Sequence, residues 1–369
     1  MYSEEHLYSI ALRECNLIGD INFYKLVRIF GSAKNAWQNT RKEYKKIDGL
    51  GYKIVSDIGN PEHLKFAENE LSFCEKNNIQ INLRHLGELP QLLNECYDAP
   101  VILYQKGNFD DTKQKISIVG TRNMTSYGSQ FLHSFFEETQ SCNFISVSGL
   151  ALGIDKEVHE QSLQNNISTA AVLAHGFHTM YPSKNRKLSE KIIEEGGALF
   201  TEFNSSRKPD RENFIQRNRI VAGISPATIV VETAFGGGSI STATFANQYN
   251  REVFALPGKI TEKQSQGCNH LIFQNKAAAI STVKDLIDNL GIKKPKEKIE
   301  ELFSHSEINI QFTESQQLIF NIISGNPKIS LDDIIERTEL SSHKILPIIL
   351  ELELLGRVKS LSGRQFLAM

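Results

Sequence analysis

The 369-residue sequence predicts an α/β protein with a doubly wound, parallel sheet at its centre, a helical unit before it and a small unit after it. Three observations carry that expectation. Short β-branched runs alternate with amphipathic stretches through the middle of the chain, the pattern of parallel strands joined by crossover helices. Before residue 80, apolar residues recur at three and four positions, the helical period. A charged stretch containing a proline, residues 291–311, then sets residues 312–369 apart.

The elements follow in order. Residues 1–80 read as helices, as in LYSIALREC and FYKLVRIFG. Within them IDGLGYKIVSDI, Ile47 to Ile58, has the form of a helix-hairpin-helix, or SAM-like, turn. Its glycines let backbone N–H groups approach a phosphate, or simply join two core helices. Residues 81–290 hold the strand candidates ISIVG, FISVSG, STAAVLA, GALFTEF, ATIVVET and EVFALPG, each followed by turn chemistry and a helical pattern. This is a Rossmann-like core. Residues 291–311 read as a linker. Residues 312–369 read as a winged helix: helices from Glu314 to Ile323, after Ser330 and after Ser341 or Ser342, then the strands RVKSL and RQFLAM around a wing at Ser362-Gly363.

Composition narrows the function. With net charge −2, any nucleic-acid surface is a local patch and not a global basic field. The cysteines Cys15, Cys74, Cys96, Cys142 and Cys268 form no C-x-x-C pair, so neither a zinc knuckle nor a disulfide framework is indicated. The first residues are acidic, without the apolar segment of a secretory signal, and no apolar run reaches transmembrane length. A cytoplasmic protein without a membrane partner is expected.

In an open α/β sheet, ligands sit beyond the carboxyl ends of the strands. Several loops fall there: Gly120-Thr121-Arg122; SGLALGID with Ser148 and Gly149; AHGFHTMYPSKNRKL with Lys184 and Asn185; and ETAFGGGSISTATFA with Gly237 and Gly238. Glycines admit close backbone approach, helix N-termini supply N–H donors, and Arg122 and Lys184 add charge, so phosphate is the anticipated ligand. A second basic run, SSRKPDRENFIQRNRIVAGIS, carries Arg207, Lys208, Arg211, Arg217 and Arg219; with Arg122 and Lys184 these line a groove for a polyanion. Mid-helix Arg217 and Arg219 sit beside Ile220 and Val221, so internal pairing of at least one is also expected.

Catalytic readings are weaker. FGGGSISTATFA resembles the P-G-G-x-G-T-x-x-E loop of lysine-decarboxylase-like phosphoribohydrolases, but Phe235 replaces the proline and Ala243 stands where the catalytic glutamate belongs. Such a nucleotide-cleaving enzyme is the alternative function. Asp155 and His159 share a helix face at metal-ligand spacing, yet fit a cap and a packed ring better. Cys268 reads as a small buried residue. No Walker lysine loop occurs, and no catalytic residue, metal or cofactor is expected.

Six motifs in register then carry a family resemblance: GTRNMTSYG, SGLALGIDKEVHEQSL, VLAHGFHTMYPSKNRKL, TEFNSSRKPDRENFIQRNRIVAGIS, GGGSISTATFANQYNREVFALPGK and GCNHLI. Over Ile116 to about Ile280 the chain resembles DNA-processing protein A, the DprA/Smf family. Val158, Ser162, Ile215 and Lys276 depart from the usual residues. The resemblance implies a non-catalytic homodimer that binds single-stranded DNA, protects it and loads the RecA recombinase on DNA entering during natural transformation. It also implies a positive site built on Arg122 and Lys184. The apolar stretch HLIFQNKAAAI places the expected dimer surface at Asn269 to Ile280. In the winged helix, Pro347, Glu351 and Glu353 make the third helix a poor reader of bases; Arg357, Lys359 and Arg364 leave a role in DNA architecture or partner contact.

Overall fold

The computed structural model describes residues 2–47, 49–292, 312–361 and 363–368. These fall into two compact units, one ending at residue 292 and one starting at residue 312.

The first unit opens with helices α1 (Glu4–Glu14), α2 (Asp20–Phe30), α3 (Ala33–Glu43), α4 (Tyr52–Val55) and α5 (Pro61–Lys76). Their starts carry local signals: Ser32 Oγ accepts from Asn35 N at 3.0 Å, and Asn60 caps α5 with a proline at its first helical position. Of the expected glycine hairpin, residue 48 lies outside the described residues, and the helix that follows Gly51, α4, has 4 residues.

The sheet elements follow: β1 (Ile79–Leu83), α6 (Gln91–Asn94), β2 (Ile102–Gly107), β3 (Gln114–Val119), α7 (Ser126–Glu138), β4 (Phe144–Ser148), α8 (Ile154–Gln164), β5 (Ser168–Val172), α9 (Arg186–Glu194), β6 (Ala198–Thr201), α10 (Arg211–Gly223), β7 (Ala227–Val230), α11 (Gly238–Gln248), β8 (Glu252–Ala255), α12 (Gln266–Phe273), β9 (Ala278–Ala279) and α13 (Val283–Leu290). The order across the sheet is β1-β2-β6-β5-β4-β3-β7-β8-β9. From β6 to β9 every pairing is parallel, while β1–β2 and β2–β6 are antiparallel. All six expected strands are present. The expected parallel core is present, and β1 and β2, which the sequence does not mark as strands, extend it at one edge through antiparallel pairings. β1 alternates buried and exposed residues inside a polar stretch, so it lacks the continuous apolar run that marked the others.

Successive residues of the central strands face opposite layers. On β4, Ile145 and Val147 pack with Ile220 of α10 and Ala243 of α11, whereas Phe144 packs with Phe135 of α7 and Val158 of α8. Phe135 meets the rings of Phe131, Phe136 and Phe144; its truncation to alanine costs about 3–5 kcal/mol. Ile79, Ile81 and Leu83 of β1 share the core of the N-terminal helices, so the boundary expected at residue 80 falls inside a strand. At the far end, Gly291 closes α13 in a left-handed conformation and Ile292 is buried in the sheet core. The rest of the expected linker, residues 293–311, lies outside the described residues.

The second unit contains α14 (Glu314–Gly325), β10 (Ile329–Ser330), α15 (Leu331–Thr338), α16 (Ser342–Leu354), β11 (Val358–Leu361) and β12 (Gln365–Ala368). Its three strands pair antiparallel in the order β10-β12-β11, making a winged helix around Ile319, Ile334, Ile345 and Leu352. Ser330 and Asp333 cap α15 reciprocally, as the sequence signals.

Candidate nucleic-acid interface

The chain runs from β3 outward to β6, then crosses back to the other side of β3 to form β7 and β8. That reversal leaves a crevice at the carboxyl ends of β3 and β7. A cavity of about 710 Å³ occupies it, lined by Thr121 and Arg122 after β3, Arg211 and Phe214 of α10, and Gly237 and Ser239 at the start of α11.

Backbone contacts fix the Gly120-Thr121-Arg122 loop. Thr121 N donates to Glu232 O at 2.7 Å, and Ile154 N donates to Thr121 O at 3.1 Å. Gly153, at φ +78°, brings α8 close enough that a Cβ there would lie 2.4 Å from Thr121 O. Glu232 is buried; its carboxylate accepts from Thr125 N at 2.9 Å and from the Thr125 hydroxyl, so it caps α7 and pins the loop from below. Arg122 is left exposed at the rim. Its guanidinium lies 4.8 Å from the centre of the Phe214 ring, and Tyr181, 45% exposed, meets that ring edge-on at 5.9 Å.

The basic residues expected in the groove divide into two sets. Arg122, Lys184, Arg207, Lys208 and Arg211 are exposed, and among the described residues none lies within ion-pairing distance of a carboxylate. Arg122 and Arg211 line the cavity; Lys184, Arg207 and Lys208 stand outside it. Arg217 and Arg219 are buried instead. Arg217 donates to Gly149 O at 2.5 Å and to Val172 O, and a Cβ on Gly149 would clash with its guanidinium at 2.4 Å. Burial pushes the Arg217 pKa down to about 10 while Asp155 opposes the shift, so it stays a cation at neutral pH. Arg219 pairs with Glu202, with Asp20 at 3.2 Å and with Asp98 O. Ser148 and Asn185 also belong to the buried frame. Ser148 Oγ donates to Ile118 O at 2.7 Å, and Asn185 Nδ2 holds Leu150 O and Ala151 O at 2.9 and 3.3 Å. A position in a basic run does not tell which face of a helix meets the sheet.

The alternative chemistries find little support. Ala243, in the glutamate position of the phosphoribohydrolase loop, is fully buried in the core. Asp155 and His159 point to different partners: Asp155 accepts from Ala151 N at 3.4 Å, and His159 Nδ1 meets Thr169 Oγ1 at 2.7 Å. Burial pushes the His159 pKa down to about 3, so it is neutral. Cys268 is buried against Val230 O at 3.5 Å with its pKa pushed up to about 12, which keeps it a thiol.

Sequence reasoning missed Phe214, Tyr181, Glu232 and Ser239 as site residues. A phenylalanine three positions past Arg211 at a helix start is a legible signal; the acid directly after an apolar strand is a weaker one. In the second unit, Glu353 turns away from the open face of α16 and accepts from Ser360 N and Oγ at 3.0 and 2.9 Å. Leu346, Leu350 and Leu354 are exposed along that helix at four-residue intervals.

The fold and the motifs have relatives. The family described as DNA recombination-mediator protein A matches residues 80–291, and the DprA winged helix domain matches residues 311–364. A protein named Smf from Synechocystis sp. is 34% identical over 300 residues, covering 79% of this chain and 74% of its own. The DNA processing protein DprA of Streptococcus pneumoniae is 37% identical over 199 residues, 54% of this chain and 70% of its own. Its crystal structure superposes with a TM-score of 0.60 at 27% identity, covering 78% of this chain and 98% of that one. The Helicobacter pylori DNA processing protein A, described for its single-stranded DNA binding mode, superposes with a TM-score of 0.52 at 28% identity, covering 57% of this chain and 95% of its own. A sheet reversal carrying the six motifs, a winged helix after it, and family models matching in each unit together mean that this chain belongs to the DNA recombination-mediator protein A (DprA/Smf) family.

Proposed function

We propose that this protein binds single-stranded DNA along the crevice at the carboxyl end of its sheet, protects it, and loads the RecA recombinase onto it in the cytoplasm during recombination of incoming DNA. It does so without catalysis. One observation carries the reading: an unpaired guanidinium, Arg122, lies on an accessible aromatic ring, Phe214, with further unpaired cations beyond it. A single strand exposes both bases and phosphates. Aromatic faces stack any base, and spaced cations follow the backbone without reading sequence. Arg122 forks onto two phosphate oxygens, which a lysine does not. The Helicobacter pylori relative, described for binding single strands, supports the same use of the fold.

A titration comparing single- and double-stranded oligonucleotides at two salt concentrations tests the reading. Preferential, salt-dependent single-strand binding is expected; equal affinity for both forms sinks it. Release of ribose phosphate from nucleoside monophosphates favours the nucleotide-cleaving alternative. For recombinase loading, the protein is expected to shorten the lag of RecA filament growth on single strands coated with a single-strand-binding protein. An unchanged lag refutes that part alone.

The proposal includes a homodimer through Asn269 to Ile280. β9 is the exposed edge of the sheet, and Phe273 is 84% exposed, whereas Leu271 is buried in the core. Phe273→Asp is therefore the informative probe: a folded variant that sediments lighter than the parent supports the interface, and equal sedimentation removes it. The division into helical unit, sheet, linker and winged helix, expected at residues 80, 290 and 311, belongs to the same proposal, with the first bound moved to the start of β1 at Ile79 and the second past Ile292.

A further inference from the structure

The loop between β6 and α10 carries the exposed cations Arg207 and Lys208, and it is held by a distant part of the chain. Its anchor is Ser205, which is buried. Ser205 N and Oγ both donate to the carboxylate of Glu70, at 2.7 and 2.6 Å. Glu70 lies on α5, among the N-terminal helices, and is only 4% exposed. Among the described residues no cation stands within ion-pairing distance of it. A buried carboxylate is unfavourable unless donors satisfy it, and here both donors come from one residue of the basic loop. Further contacts fix the same loop. On the same face of α5, Phe73 meets the ring of His178 edge-on at 4.3 Å. His178 N donates to Ser205 O at 3.0 Å, and Gly176 N donates to Arg207 O at 2.9 Å. Gly176 has no room for a side chain, since a Cβ there would lie 1.9 Å from Asn204 O. Asn213 Nδ2, at the start of α10, donates to Lys208 O at 3.1 Å. The carbonyls of Ser205, Arg207 and Lys208 are thus turned onto the fold, and the side chains of Arg207 and Lys208 are left to solvent.

We propose that Glu70 is a positioning residue for single-strand binding: through Ser205, α5 fixes the loop in the arrangement that presents Arg207 and Lys208 to the phosphates of the strand. The N-terminal helices are then a working part of the DNA site. The proposal rests on the single-strand reading above. A loop without its buried anchor spreads over many conformations, and every phosphate contact it makes must also offset the entropy of ordering it. Glu70 itself touches no phosphate. Its effect reaches DNA only through the two cations, which separates it from a residue that merely stabilises the fold.

The test titrates a labelled oligothymidylate, at several salt concentrations, with the full chain and with Glu70→Ala, Glu70→Gln, Ser205→Ala and the paired change Arg207→Ala with Lys208→Ala. Glu70→Ala is expected to weaken binding about tenfold. The log-affinity versus log-salt slope is expected to flatten by up to about 1.4, the value of two single-strand phosphate contacts. Ser205→Ala keeps the backbone bond to Glu70 and is expected to lose about threefold, so the proposal stays testable where Glu70→Ala does not fold. Glu70→Gln holds both bonds, its amide oxygen accepting from Ser205 N and its Nε2 donating to the rotated hydroxyl, and is expected to bind within about twofold of the parent. The decisive measurement is a cycle: adding Glu70→Ala or Ser205→Ala to the protein that lacks both cations is expected to change affinity no further. An undiminished effect in that background is general damage and overturns the proposal. So do folded Glu70→Ala and Ser205→Ala proteins with parental affinity and slope, and so does a folded Glu70→Gln as weak as the alanine variant. If the protein lacking both cations binds as the parent does, the loop holds no strand and the proposal fails, while a loss in Arg122→Ala leaves the single-strand reading standing. If Arg122→Ala also binds as the parent does, that reading fails as well.

Discussion

The rim of the crevice and its floor use the same residue type for opposite purposes. At the rim, Arg122 and Arg211 are exposed and unpaired, with Phe214 between solvent and sheet. Arg217 on the floor and Arg219 behind it are buried and fully engaged, one on the carbonyls of Gly149 and Val172, the other on Glu202, Asp20 and Asp98. A guanidinium costs little to leave in water and much to bury without partners. The floor arginines therefore tie the ends of β4 and β5 and the start of α2 to α10, and the rim arginines hang on that scaffold. Four of the five basic residues in one stretch of sequence, Arg207, Arg211, Arg217 and Arg219, divide between these fates because of which side of the loop and helix each occupies.

The largest expected effect is on the floor. Arg219→Ala leaves buried Glu202 without its cation and Asp20 with Arg13 alone, and breaking a buried pair costs about 3–5 kcal/mol. Urea unfolding measures it; a variant as stable as the parent erases the distinction between rim and floor. Next is the ring at the rim. Phe214→Ala is expected to cost about 1–3 kcal/mol of single-strand affinity, the worth of one stacked base. Arg122→Ala is expected to weaken binding to every sequence, to flatten the salt slope by about 0.7, and to leave unfolding unchanged. Arg122→Lys recovers only part, because lysine lacks the fork. An Arg122→Ala protein with parental affinity and salt slope breaks the assignment of the rim.

The floor also predicts a pH dependence. His159 has a folded pKa near 3 against an ordinary value of 6.5, so the unfolded chain takes up the proton first. Its contribution is fully present above pH 6.5 and is lost as pH falls from 6.5 toward 3, by up to about 1.4 kcal/mol per unit. His159→Gln is expected to reduce the stability difference between pH 7 and pH 5 relative to the parent; an unchanged difference refutes the buried neutral ring. The smallest effect belongs to the winged helix. Leu350→Ser on the exposed face of α16 is expected to change stability by no more than about 0.5 kcal/mol and to leave single-strand affinity at the parental value. A loss of affinity matching Arg122→Ala puts DNA on that face too.

The sequence by itself determined the strand succession, the crossover helices, the winged helix and the placing of the Gly120-Thr121-Arg122 loop at the carboxyl end of a strand. Each is a short-range matter: apolar period, turn chemistry, and a motif order that matches one family. Tertiary structure alone decided which polar residues of those motifs face the cavity. Ser148 and Asn185 look as available in sequence as Thr121, yet the sheet turns both inward onto backbone carbonyls. Arg217 and Arg219 lie two residues apart, on different sides of one helix, and each is held inward by its own partners, 17 to 199 residues away. The edge strands β1 and β2 were settled the same way, because their pairing is with β6 and the N-terminal helices and not with anything local. Burial and charge pairing are properties of what the chain brings together across long separations, and no window of sequence contains them.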